Sequence, residues 1–228
     1  MALAMENAWI VLALSLKVAL WATGLNLLLG TAVGFALARR RFVGTEVLEA
    51  LLTLPMVLPP TVLGYYLLVL VGKRGWLGRW LDESFGISLI FTWQGAVLAA
   101  TVVAFPLVLK SARAAFEGVD AQLEQAARVL GLGEWAIFWR VTLPLAWRGV
   151  LAGTLLAFAR ALGEFGATLM VAGSIPGSTQ TLSIAVFEAV QAGQDDVASW
   201  LVFVVSVTCM VVLLLAARVA PSHRGRRS

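Results

Sequence analysis

The chain has 228 residues, 60% of them apolar and 13% charged, with a mean hydropathy of +0.89. Such values lie outside the soluble globular norm and leave room for about five membrane spans of roughly 20 residues each. The net charge of +4 does not point to nucleic acid, because in a membrane protein a basic excess reports cytoplasmic loops, and the lone Cys209 excludes a disulfide framework or a cysteine-based metal site.

The first predicted span covers about 9–38. Glu6 and the missing basic n-region argue against a cleaved signal peptide, so this span is expected to stay attached. It is longer than a bilayer requires, which places Lys17 near the outer interface or facing the bundle. Gly30 and Gly34 make a Gly-x-x-x-Gly spacing, a sign of close helix contact. The second span, about 46–71, contains Pro55, Pro59 and Pro60 and cannot be one regular helix. A helix restarting at Pro59-Pro60-Thr61 and running outward would aim its first N–H groups at the middle of the bundle, a setting favourable to an anion; a kink tolerated for packing is the plainer alternative.

A third span is expected at about 87–110, a fourth at about 145–172 and a fifth at about 197–218. Arg160 and Glu164 stand i, i+4 on the fourth, where they can pair along one face. The pair either locks the bundle or acts at a gate; an arginine held by a glutamate makes a poor high-affinity oxyanion site, as suits a conduit. Between the last two spans, residues 181–192 read as a short helix carrying Phe187 and Glu188.

Lysine and arginine set the orientation. Arg39, Arg40, Arg41, Lys110, Arg113, Arg128, Arg140, Arg148, Arg218, Arg224, Arg226 and Arg227 fall on one side. The other side receives Lys73, Arg74 and Arg79 beside Asp82 and Glu83. The first side is therefore expected in the cytoplasm, with the N-terminus outside and the C-terminus cytoplasmic. The expectation is an all-α polytopic membrane protein, a single domain over 1–228.

One cytoplasmic stretch, about 119–143, is unlike its surroundings. Within "EQAARVLGLGEWAIFWRVTLP" (124–144), Asp120 can cap a helix from just upstream and Glu124 follows in a favourable dipole position. Leu123, Ala126, Ala127 and Leu130 recur at helical spacing on one narrow face. Gly131 can stop the helix in the left-handed conformation. A second short helix then presents Trp135, Phe138 and Trp139 on one side and leads through Leu143 and Pro144 into the fourth span. An amphipathic loop on lipid headgroups and a rigid knob for a soluble partner both fit. A DNA-reading helix–turn–helix does not, since these aromatics suit a greasy pocket better than a groove.

The spacing Gln125-Ala126-Ala127, three residues, Gly131, nine residues, Val141-Thr142-Leu143-Pro144 resembles the signature loop of bacterial ABC-importer permeases, Glu-Ala-Ala, three residues, Gly, nine residues, Ile-x-Leu-Pro. Gln125 replaces the glutamate, with Glu124 adjacent, and Val141 replaces isoleucine. Three more stretches, "LPMVLPPTVLGYYLL" (54–68), "ARALGEFGATLMVAGSIPG" (159–177) and "TQTLSIAVFEAVQAG" (179–193), make the chain similar to the molybdate permease subfamily, whose tungstate and sulfate/thiosulfate relatives carry like motifs. The short chain, with no appended domain, fits the molybdate members better than the sulfate ones.

The resemblance implies the type I ABC importer permease fold, with the loop as a coupling helix seated in a cleft of an ATPase subunit. It also implies a dimer of such ATPases, a second copy of this chain, and a periplasmic molybdate-binding protein contacted through Phe187 and Glu188. No phosphate-binding glycine loop and no metal-spaced cluster occurs in the sequence, and His223 sits in the basic tail. The chain itself is thus expected to bind no cofactor and to catalyse nothing, ATP and Mg being used by the partner. Membrane lipid is the remaining contact, and nucleic acid is not expected. An ion-coupled secondary transporter, the rival of another class, would show paired repeats and broken helices in both halves.

Overall fold

The computed structural model describes residues 2–40 and 43–219, and every regular element among them is helical. Arg41, His223 and the arginines of 224–227 lie outside the described residues. In chain order the helices are α1 (Ala2–Arg39), α2 (Thr45–Thr53), α3 (Pro60–Val71), α4 (Trp76–Phe85), α5 (Trp93–Glu117), α6 (Ala121–Val129), α7 (Glu134–Ile137), α8 (Leu143–Leu162), α9 (Gly166–Ala172), α10 (Leu182–Gln191) and α11 (Asp195–Val219). A 3₁₀ turn (Leu54–Met56) follows α2, and a π turn (Phe138–Thr142) joins α7 to α8.

Four helical runs are long and apolar enough to cross a membrane: Ala8–Arg39, Trp93–Glu117, Glu134–Leu162 and Asp195–Leu215. The segment expected at 46–71 is a bent pair, with Thr45–Met56 and Pro60–Val71 meeting at 108°. Proline explains the break. Pro59 adopts φ −55°, ψ 135°, the extended backbone a residue before proline requires, and Pro60 starts α3 where its missing N–H costs nothing.

Two expectations need correction. The fourth span does not run unbroken over 145–172: α8 ends at Leu162, residues 163–165 are irregular, and α9 restarts at Gly166. The third helix begins at Trp93, not near 87, because the Thr92 side chain caps it by accepting from the Gly95 N–H at 3.2 Å, and it runs on to Glu117.

The core is α1, α5 and α8, held close by small residues. Inside a bilayer no hydrophobic force separates protein from lipid, so close approach and good packing must supply the cohesion. A Cβ on Gly30 would lie 2.9 Å from that of Val108, and one on Gly34 3.0 Å from that of Ala112, so the Gly-x-x-x-Gly spacing of α1 receives α5. Gly149 and Gly153 do the same for α8, with hypothetical Cβ distances of 2.7 Å to Ala115 and 2.3 Å to Ser111. A smaller unit packs α3 on α9, where Gly64 faces Met170 and Ala167.

Two polar contacts fix the end of the bundle away from α6. Lys17 places its ammonium 3.6 Å from the centre of the Trp93 ring, a cation–π contact at the start of α5. Ser15, buried in α1, donates to the Val11 carbonyl at 2.9 Å and accepts from the Leu182 N–H at 2.6 Å. That hydroxyl satisfies the first free donor of α10 from a neighbouring helix.

Candidate coupling and translocation sites

The knob is built as its residues dictate. Asp120 accepts from the Gln122 N–H at 2.9 Å and opens α6. Gly131 closes it at φ +82°, a conformation costly for a residue with a Cβ. The Gly131 N–H reaches the Arg128 carbonyl at 2.9 Å and the Leu132 N–H the Ala127 carbonyl at 3.1 Å, the paired bonds of a Schellman motif. Arg128 and Glu134 bridge the turn with two hydrogen bonds of 2.6 and 3.0 Å, and the carboxylate raises the guanidinium pKa above its ordinary value.

From Glu134 the chain is helical without a break to Leu162, so the second helix of the knob is the first part of the fourth span rather than a separate piece. The π turn has a local cause. The ring of Pro144 would press on the carbonyl four residues back, and the turn widens instead, with the Leu143 N–H bonded to the Phe138 carbonyl five residues earlier.

Inward and outward faces differ from the sequence expectation. Ala127 is buried and shares the inner face with Glu124, while Leu123, Ala126, Leu130 and Gln125 are outside. Phe138 is not on the outer side with Trp135 and Trp139: it turns in, its ring 4.7 Å from Phe35 of α1 and 6.2 Å from Phe116 of α5. Trp135 and Trp139 remain 75% and 52% exposed, and Val129 and Leu130 88% and 81%. Val141 and Leu143 are half-buried and Pro144 is exposed in the first turn of α8.

Glu124 is the centre of the knob. It is 4% exposed, pairs with Arg39 at the end of α1, and accepts from the Thr142 hydroxyl at 2.6 Å. One carboxylate thus ties α6 to α1 and to the π turn entering α8. Arg39 and Thr142 were not singled out as partners in the sequence, where nothing marks residues 85 and 18 positions away from Glu124. A second tie holds the region: Arg113 of α5 pairs with Glu49 of α2 and with Glu117 at 2.8 Å.

The two expected pathway elements come together. Arg160 and Glu164 pair at 2.7 Å, but Glu164 lies in the break after α8, where its second oxygen accepts from the Ala167 N–H at 2.8 Å and caps α9. A Cβ on Gly166 would stand 3.1 Å from Pro60 and 3.2 Å from the Thr61 nitrogen, so the starts of α9 and α3 abut. Pro59, Pro60 and Thr61 are exposed on the isolated chain; Glu164 is 2% exposed and the Arg160 side chain 37%. Phe187 is only partly free: its ring lies 5.0 Å from that of Phe165, inside the same break, and Glu188 accepts from Gln180. Residues of α10 and the α8–α9 break are therefore in direct contact. No group of three or more metal-ligating side chains occurs among the described residues.

Residues 28–224 match the family described as binding-protein-dependent transport system inner membrane component. The molybdenum transport system permease protein ModB of Escherichia coli K12 is 45% identical over 97% of this chain and 98% of its own length. The sulfate transport system permease protein CysW of Synechococcus elongatus is 40% identical over 90% of this chain and 71% of its own. Among solved structures, the inward-facing MetNI methionine ABC transporter superposes with a TM-score of 0.68 at 17% identity, covering 96% of this chain and 95% of that one.

Proposed function

The chain belongs to the binding-protein-dependent transport system inner membrane component family, a multi-pass membrane transport component and not an enzyme, and from that premise we propose that it is the permease through which an ATP-driven importer moves molybdate into the cytoplasm. The observation that carries the reading is the knob: a rigid turn with an exposed apolar tip whose buried Glu124 is wired to two membrane-spanning helices. Such a device has no use in a protein that only lines a pore, and it rules against an ion-coupled secondary transporter. An ATPase and a binding protein belong to this kind of importer in general.

The finer assignments are ours. Two copies of the chain face each other with the pathway between them, and a dimer of ATPases, which uses ATP and Mg, seats one knob in each subunit. A periplasmic molybdate-binding protein docks at the opposite end, reaching Phe187 and Glu188. The N-terminus is outside and the C-terminus cytoplasmic. Closure of the ATPases displaces the two knobs. Arg39–Glu124 carries that displacement to α1, and the π turn carries it to α8. At the far end of α8 lies the break holding Arg160 and Glu164 against the start of α3. The neutral pair lets an oxyanion pass Pro59, Pro60 and Thr61 without holding it.

The resemblance to a sulfate permease keeps sulfate/thiosulfate, with tungstate, as the second reading. Uptake into vesicles holding the full importer decides between them. Molybdate and tungstate should enter on ATP addition and sulfate should not. Sulfate uptake indifferent to excess molybdate would move the chain to the other branch. In the same vesicles, Arg160→Met with Glu164→Leu should leave the assembled protein at normal level and lower uptake; an unchanged rate would remove the pair from the pathway.

A further inference from the structure

A groove of about 880 Å³ opens along α1 above the knob, large on the scale of ligand clefts. Its far end is apolar, walled by Leu27 and Leu28, which are 38% and 70% exposed. Its near end is charged, with Arg39, Arg40 and Arg128 against Glu124 and Glu134, and Trp135 and Trp139 stand at the rim. Both carboxylates are already paired, Glu124 with Arg39 and Glu134 with Arg128. Arg40 has no carboxylate partner among the described residues, so one cation is left over at that end.

The dimensions add a second constraint. From Leu27 to Arg40 the helical rise amounts to roughly 20 Å. That is about one leaflet of a bilayer, acyl region and headgroup together. An apolar trough one leaflet long, ending in a surplus guanidinium, has the layout of an interfacial lipid site.

We propose that this groove holds one anionic phospholipid, its phosphate on Arg40 beside the Arg39–Glu124 pair and an acyl chain along Leu27 and Leu28. The inference does not rest on the transported substrate and goes beyond the general contact any span makes with lipid. A second copy of the chain is the poorer occupant, because the side of the bundle at this end carries arginine in excess and would meet like charge. A bound lipid would sit against the junction that ties the knob to α1. The lipid headgroup would then bear on how firmly that junction holds.

The test is native mass spectrometry of the full-length chain in detergent, with phosphatidylglycerol and phosphatidylcholine added in equal amount. One surplus cation should favour the anionic lipid about fivefold. Arg40→Gln should bring that ratio to about one, Arg40→Lys should keep it, and Arg79→Gln, far from the groove, should not change it. Leu28→Trp, which fills the apolar end, should reduce retention of both lipids. Equal retention of the two lipids by the unaltered chain overturns the proposal. So does loss of phosphatidylglycerol on adding inorganic phosphate alone, which would reveal a site for the free anion. A disulfide between copies through Leu28→Cys in phosphatidylglycerol bilayers, with Cys209 replaced, would show the groove to be an interface between chains and overturn it as well.

Discussion

In its nearly closed site Glu124 meets Arg39 and the Thr142 hydroxyl, which answer both its charge and its hydrogen-bonding capacity. Breaking such a pair from one side leaves a buried cation or anion alone, at a cost of about 3 kcal/mol. Glu124→Gln should therefore lower the melting temperature of the purified chain and reduce ATP-driven uptake. Arg39→Met combined with Glu124→Leu removes both charges and should recover most of the melting temperature without recovering uptake. Recovery of both would make the junction a packing device and nothing more. This residue was half legible in the sequence. The Gln125 substitution pointed to its neighbour as the acid of the loop, but its burial beside Ala127 was not legible, because helical spacing groups Ala127 with Leu123, Ala126 and Leu130. Its partners could not be read, since Arg39 is brought to it only by the packing of α1 on the rest of the bundle.

At the level of elements, proline and glycine were legible where their effect is local. Pro59 and Pro60 broke the second span as their backbone limits require, and Gly131 closed α6 in the left-handed region. The break after α8 was hidden in "ALGEFGATLM", which reads as part of one span; the Glu164 side chain, paired with Arg160 and capping α9, helps to hold the interruption. The glycines of α8 were equally silent, because Gly149 and Gly153 acquire meaning only once α5 lies against them. Gly153→Ala would set a methyl group 2.3 Å from the Ser111 Cβ. It should cost on the order of 1–3 kcal/mol by overpacking, and Ser111→Gly in the same chain should return part of it. Thermal unfolding in detergent measures both. If Gly153→Ala is neutral, the α5–α8 contact is looser than the structure has it.

For the whole molecule, the distribution of basic residues predicts which end faces the cytoplasm, and chemical labelling of intact cells tests that prediction directly. Ser178 and Gly133 are both exposed, one between α9 and α10 and the other in the knob turn. With Cys209 replaced, Ser178→Cys should react with an impermeant maleimide added outside, and Gly133→Cys only after the cells are opened. Reaction of Gly133→Cys in sealed cells would reverse the orientation and take the knob away from any cytoplasmic ATPase. Substrate choice also belongs to this scale. If Pro59, Pro60, Thr61 and the Arg160–Glu164 pair line the pathway as proposed, they offer few free donors with which to tell one tetrahedral dianion from another.

The Ser15–Leu182 bond gives α1 a role that its apolar sequence does not advertise. At one end this helix receives the first amide of α10, and 24 positions later it grips the knob through Arg39, with no proline between. An α-helix resists compression far better than a chain of loops, so over roughly 36 Å it behaves as a pushrod. On the proposed coupling, a stroke of the knob along that axis would be passed by α1 itself to α10. In the proposed assembly the receptor side of the membrane would then register the state of the motor side mechanically, through the Ser15 hydroxyl and the packing of Val11 on Leu182 and Ala185 beside it.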